Sequence, residues 1–252
     1  MAFTLEDNAN SGESSANPKT LTGLFTGTNT TVLVVYVVSV RNARSGGNPT
    51  FGTGPSTVTL ISAGSSQSSG GEGFIECFYA LNSDLPDTVG IVISVPNPNT
   101  RDLSILGSVY TSPSKKIASF IDTSQGAGST GNPIAPSVTV GVPALVVNGV
   151  FTGAASVNHM FADQTLLGKF DSGDEGHAHQ YFLQSSALAS KIMSWTWTPA
   201  SSEDWATNSV SFQESDPTNV SSHDTVTFVN IGSIDSTAIA SIKSIDTVLT
   251  GN

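Results

Sequence analysis

Charge is scarce in this chain, and positive charge scarcest of all. Only 12% of its 252 residues are Asp, Glu, Lys or Arg, against roughly a quarter in ordinary globular domains. Nine Lys plus Arg stand against twenty Asp plus Glu, for a net charge of −11. A surface so poor in cations is a bad match for phosphate, so nucleic acid and anionic membranes are excluded as expected partners. Cysteine is nearly absent. The one thiol, Cys77 in GFIECFYAL, has no internal disulfide partner and no nearby basic cluster to activate it, and reads as a small buried apolar side chain. Long apolar runs are missing too. The longest, VLVVYVVSV at residues 32–40, falls far short of the ~20 residues a bilayer span needs. The N-terminal stretch MAFTLEDNANSGESSANPKT shows neither a basic n-region nor an apolar h-region, so a soluble chain made in the cytoplasm is expected.

Ser, Thr, Gly and Asn fill the gap left by charge, a composition that suits short strands and turns better than helices. Residues 191–214, KIMSWTWTPASSEDWATNSVSFQE, concentrate the aromatics and read as a hairpin. Met193, Trp195 and Trp197 share one face of its first strand, and Ala206, Asn208, Val210 and Phe212 one face of its second. Residues 31–41 are β-branched and almost continuously apolar, which predicts a central strand buried on both sides. Further strands are expected at 57–63, 74–81, 88–95, 103–110, 137–142, 145–151 and 180–184, with a short one at 116–120. Residues 64–73, 111–135 and 153–178 read mainly as loop, and 185–190 as the one helical turn.

The pattern predicts an all-β fold, a two-sheet antiparallel β-sandwich spanning residues 20–213, with Val34, Tyr36, Val38, Phe78, Ile91, Ile93, Val146, Trp195, Val210 and Phe212 in its core. Residues 1–19 read as a polar arm or peripheral strand, 214–224 as a linker, and 225–252 as a small C-terminal extension. In that extension Ile231, Ser233, Ile234 and Asp235 recur as Ile242, Ser244, Ile245 and Asp246. Ile231, Ile234, Ile239, Ile242, Ile245 and Leu249 form an apolar stripe that so short a segment cannot bury alone, marking it as an assembly segment.

No reaction centre is visible. Serines are abundant, but no strained G-x-S-x-G turn singles one out, and the Gly-rich stretches lack the lysine of a phosphate loop. The best polar constellation is DSGDEGHAH. Asp171, Asp174, Glu175, His177 and His179 carry donors that suit Zn²⁺ or, through the carboxylates, Ca²⁺, against the plainer reading of an acidic loop entering a strand. Trp195 and Trp197 read as core, and Trp205 as the one candidate platform for a glycan.

Taken in order, TVLVVYVVSVRN, FIECFYALNSDLPDTVGIVISVPN, ILGSVYTSPS, PSVTVGVPALVVNGVFTG, DQTLLGKF and MSWTWTPASSEDWATNSVSFQ resemble the jelly-roll-like sandwich domain of phage virion proteins and large bacterial surface proteins. The Ile-x-Ser-Ile-Asp units resemble short C-terminal repeats of such proteins. The resemblance implies a non-enzymatic structural protein without a cofactor. Its place is the exterior of a virion, as capsid decoration or as a spike or fibre component of a tailed phage or similar virus. Its expected partners are other capsid or tail proteins and copies of itself in a symmetric homo-oligomer such as a trimer. A carbohydrate-binding module of a surface protein is the alternative.

Overall fold

The β-branched run near the start dictates the architecture. Its two alternating sets of side chains are both apolar, so burying it requires a layer on either side. The computed structural model describes residues 3–40, 44–52, 57–86, 89–112, 117–141, 143–153, 160–171, 175–185, 189–197 and 204–215, all within one compact unit, Met1–Pro217. The first half contains β1 (Thr4–Asn10), β2 (Lys19–Thr26), β3 (Thr30–Val40), β4 (Thr50–Gly52), β5 (Thr57–Thr59), β6 (Ile61–Gln67), β7 (Gly73–Leu81), β8 (Val89–Val95) and β9 (Leu103–Thr111). The second contains β10 (Ile117–Gly128), β11 (Val138–Thr139), β12 (Ala144–Gly153), β13 (Met160–Ala162), β14 (Thr165–Asp171), β15 (Glu175–Gln184), β16 (Ser190–Lys191), β17 (Trp195–Trp197) and β18 (Trp205–Ser215). One 3₁₀ turn, Asn82–Asp84, follows β7.

The chain is an antiparallel all-β sandwich. Its two inner sheets, β1-β9-β3-β7-β6 and β10-β18-β12-β15-β14, pack face to face. A four-stranded sheet, β2-β8-β4-β5, covers the far side of the first, and two ribbons, β11-β16 and β13-β17, cover the far side of the second. β3 thus sits two-sided as expected. Val34, Tyr36 and Val38 face the second half, while Leu33, Val35 and Val37 face the outer sheet. All ten core residues anticipated from the sequence are buried, distributed over four clusters.

The two halves repeat one plan. Order for order, β1, β9, β3, β7 and β6 correspond to β10, β18, β12, β15 and β14. The registers agree as well: Val34 lies between Tyr79 and Ser108, and Val147 between Tyr181 and Val210. Residues 73–111 align without a gap on 175–213, and β3 aligns on β12 with Val34 over Val147 and Tyr36 over Gly149. Even the irregularities recur. β1 carries an extra residue between Leu5 and Asp7, β10 one between Phe120 and Asp122. β6 and β14 are each bulged just before a glycine, Gly64 and Gly168. Asp7 accepts from the backbone N–H groups of Asn8 (2.8 Å) and Phe25 (2.9 Å), and Asp122 from those of Thr123 and Thr139, both 2.8 Å. The carbonyls of Asp102 and Asp204 receive the N–H groups of Val40 and Gly153 at 3.1 and 2.9 Å.

Two expectations are corrected. Residues 191–214 do not form a hairpin: β17 pairs with β13 in the outer layer, whereas β18 lies between β10 and β12 in the inner sheet. Trp195 is drawn outward to Val150, Ala178 and Trp205, while Ala206, Val210 and Phe212 face the first half, so the two strands belong to different cores. Of the two readings of residues 1–19, arm or peripheral strand, Thr4–Asn10 takes the second, as an edge strand of an inner sheet. Much of residues 64–73, 111–135 and 153–178 is strand, because pairing with a neighbour overrides the weak propensity of Ser-, Gly- and Gln-rich sequence. Residues 186–188 of the expected helical turn at 185–190 lie outside the described residues, and Ser190 begins β16.

An ion pair is buried in the first half. Arg44 Nε lies 2.7 Å from Glu76 Oε2, with Arg44 2% and Glu76 18% exposed along the side chain. The guanidinium sits 5.3 Å from the Phe78 ring centre and donates to Gly47 O at 2.8 Å. Burial pushes the Glu76 carboxyl up, and Arg44 opposes that shift. Arg44→Met should therefore cost about 3–5 kcal/mol in urea denaturation by leaving a charge uncompensated, and adding Glu76→Gln should recover most of it.

Candidate functional site

Of the residues that sequence reading singled out, His177 and His179 lie on β15 and Trp205 on β18, and these three are buried. β15 puts His177 and His179 on one face, as period-two alternation requires, and that face meets the first half. His177 is fully buried and clamped between Phe151 and Phe170, ring centres 5.9 and 5.6 Å away and each inclined by 24°. Its Nδ1 lies 2.6 Å from Ser104 Oγ of the opposite sheet. That is the length a serine–histidine nucleophile pair would show, but Ser104 is also fully buried, so no substrate carbonyl can reach it. The pair acts as a polar clamp between the halves.

His179, 1% exposed, has no hydrogen-bond partner on either ring nitrogen among the described residues. Burial lowers its pKa to about 3. It therefore stays neutral, as a metal ligand would also be. Asp174 lies outside the described residues, and Asp171 and Glu175 are described by their backbone alone. Among the described residues no three His, Cys, Asp or Glu side chains come together. Nothing described thus assembles the five-residue set for Zn²⁺ or Ca²⁺.

Behind the second inner sheet lies a polar network that sequence reading missed. Asn148, Gln180, Trp195, Thr207 and Ser209 are all 0% exposed. Asn148 Oδ1 accepts from Trp195 Nε1 at 2.7 Å and from Gln180 Nε2 at 3.3 Å. Its Nδ2 lies 2.7 Å from Thr207 Oγ1, 2.9 Å from Ser209 Oγ and 3.0 Å from Asn208 O. Gln180 also donates to Ser194 O at 3.0 Å and accepts from Gln164 N at 3.0 Å. The corresponding positions in the first half are Val35, Phe78, Ile93, Ile105 and Gly107, an apolar core. The alternation of Thr207, Ser209 and Ser211 opposite Val210 and Phe212 was the available signal; it reads as a solvent face until a second layer is known.

The glycan platform is overturned. Trp205 is 6% exposed, packs on Val150, Ala178 and Trp195, and donates through Nε1 to Thr130 O at 3.3 Å, so neither ring face is open to a sugar. A shallow cavity of about 330 Å³ lies elsewhere, lined by Thr4, Glu6, Thr28, Asn29, Thr111 and Ser112, with no aromatic side chain. Cys77 is buried in the inter-sheet core, and burial pushes its thiol far up. Ile231, Ile234, Ile239, Ile242, Ile245 and Leu249 lie outside the described residues. Comparison with protein-family models, with curated proteins and with solved structures finds no match.

Two outcomes are expected. Because the unfolded imidazole takes up a proton below pH ~6.5 while folded His179 stays neutral down to about 3, His179 contributes full stability above pH ~6.5. That stability is lost at about 1.4 kcal/mol per pH unit as the pH falls from 6.5 towards 3. Urea midpoints between pH 4 and 7 should show this slope, and His179→Leu should reduce it by about one proton. Asn148→Ala orphans the Trp195 indole N–H and one N–H of the Gln180 amide, at about 1–3 kcal/mol for each, measurable in the same titration.

Proposed function

We propose that this chain is a non-enzymatic structural protein of a virus particle exterior, decorating the capsid or forming part of a spike or fibre. The observation that carries the reading is the double sandwich itself. Two copies of one β-unit are packed into a single block, and all four edges of its inner sheets carry a β-bulge. Bulged edges resist strand addition, so such a block can stand at high local density without pairing edge to edge. The strongly acidic, hydroxyl-rich composition supports an exposed, soluble position.

Attachment then falls to the C-terminal segment. Its isoleucines are spaced as a stripe, and burying each is worth ~1.5–3 kcal/mol, enough for a stable contact with a capsid or tail protein or within a homo-oligomer such as a trimer. Mass spectrometry of purified particles should find the chain at high copy. Deleting residues 225–252 should leave a folded, monodisperse domain that no longer joins the particle. A truncated chain that unfolds, from a parent that is a monomer in solution, would refute the anchoring role. Reproducible binding of the intact chain to one glycan on an array would favour the carbohydrate-binding alternative.

A further inference from the structure

In a two-fold interface every contact from residue i to residue j is answered by one from the counterpart of j to the counterpart of i, and residues on the axis meet their own counterparts. The inner faces of the two halves satisfy both conditions within one chain. Tyr79 of the first half stands edge-on to Phe212 of the second, ring centres 5.5 Å apart and inclined by 70°. Their counterparts, Tyr181 and Tyr110, make the same contact with the halves exchanged, at 5.8 Å and 62°. Edges are exchanged in the same way, β6 lying beside β10 and β1 beside β14.

At the centre, Tyr36 lies against Gly149, its own counterpart. A Cβ on Gly149 would stand 2.6 Å from Tyr36 Cδ1 and 2.8 Å from Cγ, closer than packed carbons approach. The Tyr36 hydroxyl crosses the interface to Val147 O at 2.9 Å and lies 3.2 Å from Asn208 O. Ser104 reaches His177, and Ser112 donates to Glu214, across the same boundary.

We propose that the inner faces form one self-complementary association surface, with a quasi-two-fold axis through Tyr36 and Gly149, and that the partner this surface fits is a half of the same kind bearing the opposite residue at the axis. Two first halves would bring Tyr36 onto Tyr36, where the structure holds one ring. Two second halves would set Gly149 against Gly149 and leave a ring-sized void, which is costly in a close-packed core. The axis therefore selects unlike halves: the first half of a chain fits the second half of the same chain or of a second copy.

Two experiments on the full chain test this. A protease site placed between Ser112 and Ile117 and cut after folding should leave both fragments together at the size of the intact chain in native gel filtration. Separation at micromolar concentration overturns the association surface. In the second experiment the axis residues are exchanged. Tyr36→Gly and Gly149→Tyr should each lower the urea midpoint or prevent folding. Together they carry the ring to the other side of the axis, its hydroxyl directed at the carbonyls of Val34 and Leu106, and should regain more than half of the loss. An additive loss or an unfolded double variant overturns the axis. A milder cycle gives the same decision: Gly149→Ala should destabilise the wild-type chain but not the Tyr36→Gly background, and equal costs in both overturn it.

Discussion

The packing of the two inner sheets on each other is the interaction on which the remaining structure depends. Neither sheet has a second apolar face to spare. β3 and β12 are buried along almost their whole lengths, so each needs the opposite half on one side and its own outer layer on the other. Burying a Val, Leu, Ile or Phe side chain is worth ~1.5–3 kcal/mol, and the inter-sheet cluster draws such residues from both halves, from Val32, Val34 and Leu106 to Leu145, Val147 and Phe212. Removing either half would expose that whole surface. The outer layers depend on this contact indirectly, because the ribbons β11-β16 and β13-β17 are too short to persist without an inner sheet beneath them.

The second consequence is divergence within a repeated plan. The core between the two halves remains apolar apart from a few clamped polar groups. The two outer cores have separated in chemistry: Leu, Val, Ile and Phe in the first half, an Asn–Gln–Trp–Thr–Ser network in the second. A buried amide costs more than an apolar side chain unless its groups are met. Asn148 is met on both ends, which makes the network tolerable and directional. It also sets the halves apart. β18 in the place of β9 would bury Thr207, Ser209 and Ser211 against Val35, Phe78 and Ile93 with no partners. A chain with two slots of the same register thereby acquires a reason to fill each with the correct strand.

Much of the fold is legible in the sequence where both the pattern and the burial are strong. β3, β7, β8, β9 and β12 stand out because β-branched and aromatic side chains occupy their buried faces. β6, β10 and β14 do not, since Ser, Gly, Gln and Asp in those strands are held by their neighbours' hydrogen bonds and carry little signal of their own. The hairpin reading of residues 191–214 failed because adjacency in sequence was taken for pairing, whereas a layered fold sends consecutive strands to different sheets. The repeat stayed hidden for a related reason. Tyr79 and Leu81 match Tyr181 and Leu183, and Asp102 matches Asp204, but Gln180 stands in the place of Phe78 and Thr207 in the place of Ile105. Conserved geometry with exchanged chemistry leaves little for a sequence to show. The histidines of DSGDEGHAH share one face of β15, as strand alternation requires. Their burial followed from a second sheet that local pattern cannot reveal, and so did that of Trp205.

The sheet edges connect this architecture to the proposed role. An antiparallel sheet ends in unpaired N–H and C=O groups, and a chain displayed in many copies meets its own edges at high concentration. Each edge strand of the inner sheets carries its extra residue on the edge itself: Glu6, Ile121, Ala63 and Leu167. At two of these bulges an aspartate turns back onto backbone N–H groups, Asp7 onto Phe25 and Asp122 onto Thr139, so donors near the edge are consumed internally. The outer edge strand β2 is bulged as well, between Leu21 and Leu24. A body closed in this way offers neighbours side chains but little free backbone. Under the proposed role, contacts between copies and with the particle fall to side-chain surfaces and to the isoleucine-bearing C-terminal residues, and not to strand addition at the inner-sheet edges.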